Sequence, residues 1–177
     1  DKILQRMKRG YTTAEYARLV QEIRTRVPDI GLTTDVIVGF PGEDEASFEN
    51  TRGFLEQMGF HKVHVFPYSE RPGTKAVNLD QKVPIEIIRR REKILKETLA
   101  PLTEKYLNSF VGKKLEVLVE SGRAKEGCLQ GFSENYIRCV FEGADDLKGT
   151  LREITALQVS NERLICALKA IPDLRAG

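Results

Sequence analysis

Three stretches combine residue types and spacings that chemistry can use. The first is Asp35-Val-Ile-Val-Gly39-Phe-Pro-Gly42-Glu43, which reads as strand, glycine turn and helix start. In α/β folds ligands collect at the carboxyl ends of strands, where glycine lets backbone approach a bound molecule. It is no dinucleotide fingerprint, because the third glycine and its spacing are absent, and no phosphate loop, because no Gly-Lys-Ser/Thr follows. An ordinary strand-to-helix turn fits the same residues equally well. The second stretch, Phe66-Pro-Tyr-Ser-Glu-Arg71-Pro-Gly-Thr74, places Tyr68, Ser69 and Arg71 on a Pro/Gly loop after a strand. Such a loop offers hydrogen bonds to an anionic or nucleobase ligand, or is a structural turn with a surface arginine. The third, Gly131-Phe-Ser-Glu-Asn-Tyr136-Ile-Arg138, groups an aromatic ring, an amide and an arginine at a strand start. That set suits stacking of unpaired bases with phosphate contact.

Other reactive residues point to less. His61 and His64 are the only histidines, and three positions apart on a strand they face opposite ways, so a shared metal is not expected. Cys128, Cys139 and Cys166 lack metal- or cluster-binding spacing and read as small apolar core residues. No serine or cysteine has a partnering histidine that would make it a nucleophile.

The elements that position these stretches follow from periodicity. Residues 1–7 read as a helix stopped by Gly10, and Thr12-Thr13-Ala14-Glu15 has capping-box form. Tyr16, Leu19, Val20, Ile23 and Val27 continue at helical steps until Pro28. Residues 32–38 and 62–66 read as short strands with a helix over 43–58 between them. Pro84 opens a long helix whose apolar stripe runs Ile87, Ile88, Ile94, Leu95, Leu99, Leu102 and Tyr106, with an interruption and kink expected at Pro101. Alternating strand and helix mean parallel strands with helical crossovers. Two strands cannot bury both faces of a parallel sheet, so further strands are expected upstream. Exposed edges on 32–38 and 62–66 would also invite self-association.

After Val111-Gly112 the period changes. Residues 114–120, 127–131, 136–142, 150–159 and 163–171 read as five strands, expected to form a closed or nearly closed OB-type barrel. A plain β-meander packed on the first segment is the alternative. Residues 108–171 hold nine basic and nine acidic side chains, so charge neither demands nor forbids RNA.

Composition sets the frame. The 177 residues are 41% apolar and 31% charged, as in an ordinary globular protein. There is no apolar run near the ~20 residues of a membrane span and no signal-peptide pattern. Scattered cysteines exclude a disulfide framework, and the cytoplasm is the expected location. Net charge is +2. The clusters Lys2, Arg6, Lys8, Arg9 and Arg89, Arg90, Arg91, Lys93, Lys96 are read as solvated helix faces in preference to an RNA track.

Arg6-Met-Lys-Arg-Gly-Tyr-Thr12, Thr34-Asp-Val-Ile-Val-Gly-Phe-Pro-Gly-Glu43 and Tyr68-Ser-Glu-Arg-Pro-Gly-Thr74, in that order, resemble successive signatures of the radical-SAM methylthiotransferases that thiomethylate tRNA. Val111-Gly-Lys-Lys-Leu115 through Arg138 resembles their RNA-binding TRAM module. The resemblance implies the C-terminal part of a TIM-type radical-SAM barrel over 1–108, a five-stranded OB-like TRAM barrel over 109–171 and a tail over 172–177. It implies S-adenosylmethionine and two 4Fe–4S clusters in the whole enzyme, with a tRNA anticodon stem-loop as partner. Val36, Val38, Gly39, Phe66, Pro67 and Tyr68 then match positions near the cofactor's adenosine, with Ser69 and Arg71 at the mouth. Lys113, Arg123, Asn135, Tyr136 and Arg138 match an RNA-facing set.

The family's CxxxCxxC loop and its N-terminal domain with three further cluster cysteines are not in this sequence. This stretch is therefore expected to be a truncation that ligates neither cluster, is inactive alone, and needs the N-terminal domain and first half of the barrel. Residues 131–138 look most like the branch acting on threonylcarbamoyl-adenosine; related enzymes act on isopentenyl-adenosine or a ribosomal-protein aspartate. A stand-alone RNA-binding protein and an α/β enzyme completed by another chain are the readings from other classes.

Overall fold

The computed structural model describes residues 1–168. The tail expected over 172–177, and the end of the strand expected to reach 171, lie outside the described residues. The chain divides into two compact units, the first ending at Thr103 and the second starting at Glu104.

In the first unit, helix α1 (Lys2–Arg6) precedes α2 (Thr13–Arg26). The capping box forms: the Glu15 N–H donates to Thr12 Oγ1 at 3.2 Å and the Thr12 N–H to the Glu15 carboxylate at 2.8 Å. Strands β1 (Thr33–Val38) and β2 (Lys62–Pro67) pair in parallel, Thr33 opposite Lys62 and Val38 opposite Pro67. Helix α3 (Glu45–Met58) crosses between them, capped by Asp44 and ended by left-handed Gly59. Helix α4 (Ile85–Asn108) starts in this unit, with its residues from Glu104 belonging to the second, and Pro101 lies inside it without ending it.

Strand alternation decides the layering. Val36, Val38, Val63 and Val65 turn into a core with Val20, Phe48, Leu55, Ile88, Leu95 and Leu99 from the helices. Asp35, Lys62, His64 and Phe66 lie on the opposite, exposed face, where Phe66 is 49% accessible. Helices thus cover one face of this sheet, and among the described residues it has two strands.

The second unit is a closed barrel of β3 (Lys114–Arg123), β4 (Leu129–Ser133), β5 (Arg138–Phe141), β6 (Leu151–Ser160) and β7 (Arg163–Leu168), in the order β3-β4-β5-β7-β6. Neighbours are antiparallel except β5 and β7, which are parallel. This order rules out the plain meander and is the OB-type arrangement, in which closure removes exposed edges. Leu115, Val117 and Val119 point inward with Leu129, Ile137, Ile154 and Leu164, joined by Leu107 and Phe110. Cys139 and Cys166 sit in this core as free thiols, as the sequence predicts, whereas Cys128, read in the same way, is half-buried and lies outside it. Register irregularities between Val119 and Arg123 and between Ala156 and Gln158 bend the long strands. The β6–β7 hairpin turns on Asn161 and Glu162, both with positive φ.

Gly131 has a packing reason. A Cβ there would run into the Leu118 carbonyl oxygen of β3, so only glycine lets the two strands approach. The strand expected over 136–142 starts two residues later, because Tyr136 (φ +60) belongs to the turn before it.

Candidate functional site

The end of β1 is held from two sides. Gly39 and Gly42 have φ of +76 and +89, and a Cβ on Gly39 would overlap the Ile88 side chain. Glu43 is 6% exposed. Its Oε1 accepts the Gly39 N–H at 3.1 Å and Arg91 Nη1 at 2.9 Å, while the same Nη1 reaches the Glu43 carbonyl at 2.9 Å. Arg91 Nη2 contacts Glu45 at 2.9 Å, and the guanidinium carbon lies 5.2 Å from the Phe48 ring centre. Burial pushes the Glu43 carboxyl pKa up, against the lowering effects of the Gly39 N–H and Arg91. Arg91 is therefore no solvated helix charge, which corrects the sequence reading. A signal existed: Arg91 falls between Ile88 and Leu95 on the apolar stripe of α4.

From the other side Arg6 donates through Nε to the Pro41 carbonyl at 3.0 Å and through Nη2 to Asp80 Oδ1 at 2.7 Å. The Gly42 N–H donates to the Gln81 carbonyl at 2.8 Å. A Cβ on Gly42 would come within 2.6 Å of Arg6 Nε. One guanidinium thus ties α1, the β1–α3 turn and the loop before α4. The remaining cations of the long helix behave as a solvated face, with Arg90–Glu45, Lys93–Glu97 and Lys96–Glu92 pairs.

At the end of β2, the Tyr68 N–H donates to the Val38 carbonyl at 2.8 Å and its ring meets Phe40 edge-on at 5.2 Å. Tyr68 Oη is buried and has no hydrogen-bond partner among the described residues. The structure brings Val38, Gly39, Phe66, Pro67 and Tyr68 to one strand-end region. The side chains of Val36 and Val38 belong to the helix-covered face, so only their backbone can address a ligand on the open one. Ile37 is the register partner of exposed Phe66 on that open face. Ser69 and Arg71 are exposed on the following loop.

On the barrel, Phe132 and Tyr136 stack with centroids 4.6 Å apart and planes 14° off parallel. The Arg138 guanidinium carbon lies 4.5 Å from the Phe132 centre, and Arg138 Nη1 donates to Gln130 Oε1 at 3.1 Å. Leu118 lies across from both Phe132 and Leu151 in register, and the two leucines are 53% and 57% exposed. Tyr136 and Arg138 thus meet through Phe132, the central plate that sequence reading did not single out, and half-buried Asn135 directly precedes Tyr136. Lys113 lies over the Phe110 ring at 4.9 Å. Arg123 is occupied otherwise: it binds Asp145 and the carbonyls of Gly127 and Gly143.

Comparison with known proteins decides the family. No protein-family model matches the chain. The threonylcarbamoyladenosine tRNA methylthiotransferase MtaB of Thermotoga maritima is 35% identical over 165 residues, 93% of this chain and 37% of that protein. The tRNA-2-methylthio-N(6)-dimethylallyladenosine synthase of Nitratidesulfovibrio vulgaris is 36% identical over 97% of this chain and 40% of its own length. The chain belongs to the tRNA methylthiotransferase family. It spans roughly a quarter to two fifths of the relatives it matches; for the Thermobifida fusca synthase, 40% identical, the share is 26%. Relatives named for the two modified adenosines match this methylthiotransferase stretch at similar identity. Among its described residues no group of three His, Cys, Asp or Glu side chains could hold a metal ion, so these residues do not fit an iron–sulfur cluster. No described helix is long and apolar enough to cross a membrane.

Proposed function

We propose that the chain is a working part of a methylthiotransferase that converts threonylcarbamoyl-adenosine beside the tRNA anticodon to its 2-methylthio derivative. The observation that carries the tRNA methylthiotransferase reading is the match running through both units, over 93% of this chain for the MtaB relative. The resemblance of residues 131–138 supports the threonylcarbamoyl branch.

The strand-end region fits S-adenosylmethionine. Phe66 and Ile37 offer an apolar open face, Tyr68 Oη is a buried hydroxyl without a partner among the described residues, and Ser69 and Arg71 can meet a carboxylate. When bound, that cofactor supplies the methyl group and the radical chemistry of the family. Residues outside this chain would hold the clusters. What these residues contribute is a fixed strand-end shape, held by Arg6 and by the Glu43–Arg91 pair. On the barrel, Asn135, Tyr136, Arg138 and Lys113 form the RNA-facing set, and Arg123 serves the fold.

The test is nucleoside mass spectrometry of tRNA from cells lacking the gene, with complementation. Loss of 2-methylthio-threonylcarbamoyladenosine is expected. Loss of the methylthio-isopentenyl nucleoside instead moves the chain to the other branch, and loss of neither overturns the proposal.

A further inference from the structure

We infer that Tyr136 is a preformed shelf on which one unpaired nucleobase of an RNA loop stacks, a binding mode that rests on the RNA-facing reading of the barrel and specifies it. Tyr136 is 75% exposed, yet its ring is not loose. Phe132 lies against it, and Arg138 lies against Phe132, so the ring is backed on one side and open on the other. The turn beneath is fixed by three hydrogen bonds: the Tyr136 N–H to the Ser133 carbonyl, the Ser133 N–H to the Ile137 carbonyl, and the Ile137 N–H to Ser133 Oγ.

Two further features separate this ring from a packing residue. First, Tyr136 has φ +60, a left-handed backbone that glycine or asparagine adopts with less strain than a bulky side chain. Folding alone would favour Asn or Gly at this position. Strain of this kind held on an exposed aromatic points to use of the ring by something else. Second, the charges around the shelf do not suit a phosphate track. Glu120 lies 3.5 Å from Arg138, and the Glu134 carboxylate accepts the Glu116 N–H at 3.1 Å beside it. Arg138 is thus partly neutralised, and the uncovered chemistry is the flat π-face of Tyr136, with exposed Leu118 across from Phe132 and exposed Leu151 across from Leu118. An uncharged base face complements that surface, and only an unpaired base can present both the face and the freedom to reach it.

The experiment uses the 177-residue chain and a short RNA carrying 2-aminopurine, offered single-stranded or as a duplex, with anisotropy reporting binding and fluorescence quenching reporting stacking. The single strand should bind and be quenched, the duplex should not be quenched, and Tyr136→Phe should behave as wild type. Tyr136→Ala should weaken single-strand binding about tenfold, within the range of base–aromatic stacking, and abolish quenching. Tyr136→Asn should do the same while raising Tm, which a structural role would not produce. Binding and quenching unchanged in Tyr136→Ala, or a fall in Tm for Tyr136→Asn, overturns the shelf while leaving RNA binding intact. No RNA binding by the wild-type chain even at low salt overturns the RNA-facing reading itself.

Discussion

Arg91 reaches back from the long helix to Glu43, with Nη1 2.9 Å from Oε1 and the two side chains only 4% and 3% exposed. Removing one member leaves a buried charge without its counterpart. Arg91→Met is expected to lower the unfolding free energy by about 3–5 kcal/mol, measured by urea denaturation. Glu43→Gln keeps an oxygen for the Gly39 N–H and should cost less. A loss below about 1 kcal/mol for Arg91→Met would mean the pair behaves as a surface ion pair.

The same pair makes a pH prediction. Burial raises the Glu43 pKa from its ordinary value of 4.5, so the folded state holds that proton more tightly than the unfolded state. Stability from this group therefore falls as pH rises from the ordinary value toward the raised one. Its neighbours act oppositely. Asp44 is held low mainly by Ser47, and Glu45 mainly by Arg91, so their contributions are present above the usual carboxylate range and are lost on acidification. The Tm of Glu43→Gln relative to wild type should rise with pH through the window above 4.5. A difference independent of pH would show that Glu43 titrates as an exposed acid.

The sequence places Arg6 in a cluster of charges with the pattern of a solvated face, but its guanidinium joins Pro41 to Asp80. Lysine cannot make both contacts from one planar group. In the complete enzyme Arg6→Lys should raise the KM for S-adenosylmethionine by about tenfold, the scale of a lost charged hydrogen bond, and leave tRNA affinity unchanged. A drop in tRNA affinity with an unaltered KM would make Arg6 an RNA contact instead.

Which features the sequence disclosed depends on how local their causes are. The capping box at Thr12 and Glu15 and the end of α2 before Pro28 each depend on neighbours within a few residues. Their sequence readings hold. The role of Arg91 depends on a carboxylate 48 positions away, and that of Arg6 on a carbonyl 35 away. No spacing rule reaches so far. The closed barrel of five strands is as the sequence predicts, but the pairing that completes it, parallel β5–β7 with Cys139 opposite Leu164, joins segments no local pattern links. In the candidate sites, Tyr136 and Arg138 are picked out from the sequence by their visible chemistry. Phe132 was not singled out, because its role comes from the turn that lays Tyr136 over it.

Gly131 supplies a test of barrel packing. Adding a Cβ would drive it into the Leu118 carbonyl, a backbone atom that cannot rotate away. Gly131→Ala should cost about 1–3 kcal/mol or more, as overpacking does, with loss of the β3–β4 pairing seen as faster amide exchange. Gly149 (φ +71) has open space at the same point, so Gly149→Ala should show only left-handed strain, about 1–2 kcal/mol. Equal effects on β3–β4 exchange would mean that close strand approach is not what requires Gly131.

Arg123 and Arg138 should separate folding from RNA binding. Arg123 binds the Gly127 and Gly143 carbonyls and Asp145, whose carboxyl is held low first by Lys148 and then by Arg123. Its charge is already matched, so it has little left for a phosphate. Arg138 lies half-buried against Phe132, with Gln130 and Glu120 as its polar neighbours. Arg123→Ala should therefore lower Tm and leave the salt slope of RNA affinity unchanged, because that slope counts neutralised phosphates. Arg138→Ala should remove the backing of the aromatic stack, weakening RNA binding at every salt concentration with a smaller effect on Tm. If Arg123→Ala instead flattens the slope by about one charge and leaves Tm intact, the assignments are reversed: Arg123 faces the RNA backbone, and its contacts to the two turns are incidental.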